Sequence, residues 1–117
     1  MAVPQKCISV QEAKGLYTNW HNTRATALSS LGNSNTSDFT FSLAELQEFL
    51  DYVKQESNDQ GITNPGVRIY FAAYNSLTST ASTVFLAPTV GPGISDNNNY
   101  DIQPLNTVGG GWPPNVY

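Results

Sequence analysis

Within GVRIYFAAY, residues 66–74, Arg68, Tyr70 and Tyr74 recur at even spacing. A guanidinium forks onto a carboxylate or phosphate, or stacks on an aromatic face. A phenol buries its ring and keeps its hydroxyl bonded or wet. On a β-strand, even spacing places all three on one side, with Val67, Ile69, Phe71 and Ala73 on the other, the side that suits a helix-packed core. The set can therefore line a groove that recognises a carboxylate, a phosphate or a peptide backbone. A structural use competes with this. Arg68 can instead hold the C-terminal segment, by pairing with Asp96 or Asp101 or by donating to carbonyls there. A third reading is an ordinary exposed strand face.

Arg24 raises a similar question. Counted at 100° per residue from Val10, it falls inside the apolar stripe formed by Val10, Ala13, Tyr17, Trp20, Leu28 and Leu31. Three readings are open: a side chain snorkelling at the core edge beside Trp20, a buried pair with a carboxylate such as Asp38, or a ligand-binding arginine.

Other chemistries are poorly supplied. His21 is the single histidine and Cys7 the single cysteine. Triads built on a histidine base, His- or Cys-based metal sites and an internal disulfide therefore lack parts. Glu45, Glu48 and Asp51 read as a solvated helix face, without the burial that would part the pKa values of a catalytic pair. GPG and GGGW do not sit between a strand and a helix as phosphate loops do. DNNNY has oxygen ligands but not the carboxylate count of a calcium loop. WPPNVY is polyproline-prone and reads either as a packed or frayed end or as a short docking peptide. We assign no catalytic residue, metal or cofactor from the sequence.

The chain has 117 residues, enough for one domain with its own core. Apolar residues make up 39% and charged residues 12%, with a net charge of −4. Five Lys and Arg residues cannot form the basic footprint of a nucleic-acid binder. RIYFAAY is similar to the aromatic strand of an RNA-recognition sheet but lacks its basic flank. No stretch reaches the length of a membrane span or of a secretory leader, so a cytoplasmic location is expected.

Two capping boxes mark helices. Ser9 with Glu12 opens one that should run to Gly32-Asn33, and Ser42 with Glu45 opens another that should stop at Gly61. In the second, Leu43, Leu46, Phe49, Leu50 and Val53 form the apolar stripe. Phe39 and Phe41 alternate as a short strand would. VRIYFAAY and TVFLAP are joined by about seven residues, too few for a parallel crossover, which predicts an antiparallel hairpin. From Pro88 onward Pro, Gly and Asn dominate, with a further short strand expected at YDI. The expected fold is α+β, a single domain over 1–117. Two amphipathic helices pack on one face of a small antiparallel sheet within 1–87, and an irregular tail, 88–117, packs on that core.

GVRIYFAAY, the TVFLAPT strand, PLN and the Gly-rich stretch before PP resemble a group of small uncharacterised bacterial proteins. The NW and TR of the first helix, residues 19–20 and 23–24, look similar as well. The resemblance implies no activity. It adds Trp20, Arg24 and Asn106 to Arg68, Tyr70 and Tyr74 as candidate ligand-binding residues. The expected function is a non-enzymatic binding or interaction module contacting a small anion, a peptide or a second copy. The alternative is an enzyme in which Arg68 clamps an anion and a tyrosine is the general acid.

Overall fold

The computed structural model describes residues 1–25, 27, 38–75, 77, 82–107 and 116–117. The expected helix end at Gly32-Asn33, the stripe positions Leu28 and Leu31, most of the hairpin connection, GGGW and most of WPPNVY lie outside them. Helix α1 spans Val10–Trp20 and continues as a π-helical turn, His21–Ala25; helix α2 spans Leu43–Asp59. Strands β1, Gly66–Ala73, β2, Ser82–Thr89, and β3, Leu105–Asn106, form one antiparallel sheet in the order β1-β2-β3. The class is α+β. No helix among the described residues is long and apolar enough to cross a membrane.

Local chemistry explains the boundaries. Ser9 accepts from the Glu12 amide while the Glu12 carboxylate accepts from the Ser9 amide, so two orphan donors are satisfied. Ser42 caps α2 through the Glu45 amide. At the far end Gly61 adopts φ 78°, a conformation open to glycine. The Ile62 amide then reaches the Ser57 carbonyl at 2.8 Å, and the Gly61 amide reaches Asn58 at 3.0 Å. These bonds satisfy the Ser57 and Asn58 carbonyls at the last turn.

Phe49 and Val53 of α2 pack with Leu86 of β2, and Phe41, Leu46, Tyr52, Val67 and Leu105 border this cluster. Register puts Val67, Ile69 and Phe71 on the same sheet face as Pro88, Leu86 and Val84. The expectation that this whole set is core needs correction. Val67 is half-buried, but Ile69 and Phe71 are 65% and 92% exposed. The reason is position along an edge strand: Val67, at the start of β1, borders the cluster formed by α2 and Leu86, whereas Ile69 and Phe71 lie further along β1 and are not part of it.

Four other expectations change. Residues 39–41 are not a strand, and the third strand forms at Leu105–Asn106 rather than at YDI. No residue of α1 is buried, and Val10 and Leu16 are largely exposed. Arg24 is exposed and donates to the Thr23 hydroxyl at 2.9 Å. It lies in the π-helical turn, whose wider winding rotates residues after Trp20 by less than 100° each. Arg24 lies on no buried stripe, because no residue of α1 or of this turn is buried.

Within α2 the Ser57 hydroxyl is fully buried and has no hydrogen-bond partner among the described residues. Such an orphan contributes a desolvation penalty and no bond. Ser57→Ala removes it and adds helix propensity. We expect a gain of about 0.5–1 kcal/mol in urea unfolding, and a loss of stability would show that this hydroxyl is bonded.

Candidate functional site

The second face of the sheet carries Arg68 opposite Ala87, Tyr70 opposite Phe85, Ala72 opposite Thr83, and Asn106 opposite Phe85 on the other flank. Alternation aims these side chains away from the Val67–Leu86–Leu105 face that meets α2.

After β2 the chain turns back through residues 90–98. Asp96 organises the turn: its carboxylate accepts from the Gly93 amide at 2.7 Å and its own amide donates to the Gly93 carbonyl at 3.1 Å. The Val90 amide donates to Asn97, the Asn99 amide donates to Pro88, and Thr89 and Asn98 form a bridge. Folded in this way, the turn presents its inner carbonyls to β1.

Arg68 meets them. One terminal nitrogen, Nη2, donates to the carbonyls of Ile94 and Asp96, each at 2.9 Å. The other, Nη1, donates to Asn98 Oδ1 at 2.6 Å. Arginine is a donor only. Its contact with Oδ1 therefore fixes which way the Asn98 amide points, and Asn98 Nδ2 must face the opposite side. There it donates to the Tyr70 hydroxyl at 2.8 Å and, more weakly, to the Tyr100 hydroxyl at 3.4 Å. The Asn98 bond, aided by Arg68, holds the Tyr70 phenol below its usual pKa, against an opposing effect of burial.

The Tyr70 and Phe85 rings stack at 5.1 Å with an interplanar angle of 19°. They floor a cleft of about 330 Å³ bounded by Ala87, Pro88, Asn98, Asn99, Tyr100, Ile102 and Pro104. Ile102 and Asn99 are buried, and Tyr100 stands exposed at the rim. Among the described residues, no charged side chain lines the cleft.

Tyr74 and Asn106 meet further along the face. The Tyr74 hydroxyl donates to Asn106 Oδ1 at 2.9 Å, and Asn106 Nδ2 donates to the Thr83 hydroxyl and the Val84 carbonyl. This clasp spans β2 from the end of β1 to β3. The other two candidates lie elsewhere. Trp20 is half-buried at the end of α1 and Arg24 is exposed beyond it, and among the described residues no hydrogen bond or ring contact joins either to Arg68. Sequence reasoning missed Phe85, Asn98 and Tyr100. Phe85 was legible in principle, since a hairpin places some residue of TVFLAP beside Tyr70. Asn98 and Tyr100 depend on the path of an irregular segment.

Among the described residues, no group of three or more His, Cys, Asp or Glu side chains is placed to hold a metal ion. No family model, curated protein or solved structure matches the chain.

Proposed function

We propose that the protein is a non-enzymatic binding module whose working surface is the cleft on the Arg68–Tyr70 side of the sheet, and that it takes an uncharged ligand. The observation that carries this reading is the division of labour around Arg68. Its guanidinium is committed to two loop carbonyls and Asn98, while the neighbouring cleft is aromatic and free of charge. A concave, largely apolar site with a few placed polar groups is the usual form of a binding pocket. An anion would find no cation in its lining. The enzyme reading is weaker for the same reason: an Arg68 anion clamp would have to release the loop that walls the cleft. Nor does Asp96 offer a base there, because its carboxylate is turned to the Gly93 amide.

The test is a chemical-shift survey of the ¹⁵N-labelled protein. Indole, maltotriose and an acetylated, amidated tetrapeptide are the neutral probes; inorganic phosphate and citrate are the anionic ones. We expect at least one neutral probe to move the Phe85, Ala87 and Tyr100 amides, and neither anion to do so. Movement of those amides by phosphate or citrate, or by none of the neutral probes, would refute the reading.

A further inference from the structure

We infer that the cleft takes a proline-rich peptide segment in the extended polyproline conformation. Pyrrolidine rings would pack on the Tyr70–Phe85 stack, and backbone carbonyls would accept from the Tyr70 and Tyr100 hydroxyls. This inference rests on the binding reading above and narrows it to one ligand class.

The argument concerns hydrogen-bond polarity. Arg68 fixes the Asn98 amide, and Asn98 in turn donates to both phenol oxygens. A phenol has one proton to give. Each hydroxyl already accepts, and among the described residues neither donates, so both O–H groups can serve a ligand. Several acceptors of the lining already hold a bond. Asn98 Oδ1 is engaged by Arg68, and Asn99 Oδ1 by the Asp101 amide at 3.1 Å. The Pro88 carbonyl accepts from the Asn99 amide at 2.8 Å. The cleft therefore offers donors over an aromatic floor and wants a ligand of apolar surface with acceptors.

That description excludes more than it admits. A saccharide brings many hydroxyl protons that need acceptors. An ordinary peptide brings an N–H at every residue, and each one buried unpaired is penalised by about 1–3 kcal/mol. An X–Pro bond has a carbonyl and no N–H. A polyproline helix has no internal hydrogen bonds, so its carbonyls are available. It is also already extended and ordered, which lowers the entropy lost on docking to an aromatic groove.

The experiment is a titration of the full chain with an acetylated, amidated decaproline, followed by the Phe85 and Tyr100 amide shifts. A Gly-Ser decamer serves as control. We expect saturation with a Kd below about 1 mM for decaproline and no response to the control. Tyr100→Phe removes one hydroxyl from an exposed ring and should weaken binding about 2- to 12-fold, the equivalent of one hydrogen bond. Asn98→Asp is the sharper variant. A carboxylate still accepts from Arg68, so the fold is kept, but it also accepts from the tyrosines and turns their protons away from the ligand. We expect binding to fall at least about tenfold, the sum of two such bonds. Equal response to both peptides, or wild-type affinity in both variants, would overturn the inference. If decaproline is silent while another neutral probe moves the same amides, the inference fails and the broader binding reading stands. If no neutral probe moves them, both fail.

Discussion

Arg68→Ala is expected to lower stability by about 2–4 kcal/mol, as three charge-assisted, partly solvent-screened hydrogen bonds are lost together. The loss exceeds that of an ordinary surface substitution because the partners do not simply return to water. The Ile94 and Asp96 carbonyls face inward within a turn that Asp96 has already shaped, and Asn98 is half-buried beneath the bridge to Thr89. Arg68→Lys should rescue less than half of the loss. A single ammonium cannot hold three acceptors in the fork geometry that the guanidinium spans. Urea unfolding of the three proteins checks this. A change under about 0.5 kcal/mol for the alanine variant would mean that the arginine is a surface group.

Gly66→Ala is the second large effect, expected at about 1–3 kcal/mol. Gly66 opens β1 opposite Thr89, where the returning turn passes close above it. A Cβ there would stand 2.5 Å from the Thr89 hydroxyl, 2.7 Å from the Gly91 carbonyl and 3.3 Å from the Pro92 Cα. Two of these three atoms belong to backbone and cannot swing aside. Gly15 in α1 supplies the contrast, since a Cβ added there meets nothing within 4 Å. Gly15→Ala should therefore stabilise, by about 0.5–1 kcal/mol, through helix propensity. Thermal melts of the two variants should shift in opposite directions. A shared direction would show that the turn does not press on the start of β1.

Much of the framework was legible in the sequence because it is written in local chemistry. The capping residues Ser9 and Ser42, the stop at Gly61 and the VRIYFAAY–TVFLAP hairpin each follow from residues a few positions apart. The failures have physical causes too. The helical count puts Arg24 on an apolar stripe, but no residue of α1 is buried, and periodicity marks a face without showing what covers it. Alternation identifies the face that Ile69 and Phe71 share but not how far along the sheet a helix covers it. Alternation does place Arg68 and Tyr70 on one side of β1, where both meet Asn98. What Arg68 does there could not be read, since its partners are main-chain carbonyls 26 and 28 positions away. Carbonyls carry no residue-specific signature. The cleft was invisible for the same reason, because half its lining comes from a segment rich in Asn, Pro and Gly that has no periodicity to extrapolate.

Amide hydrogen exchange in wild type and Arg68→Ala bears most directly on the claim that this arginine seats the 90–98 turn, and with it the cleft wall. The amides of Val90, Asp96 and Asn99 are bonded inside or beside that turn, whereas those of α2 are not. We expect protection at Val90, Asp96 and Asn99 to collapse in the variant, while the α2 amides from Leu46 to Gln60 lose only what the change in overall stability accounts for. Wild-type protection of the turn in Arg68→Ala would contradict the account.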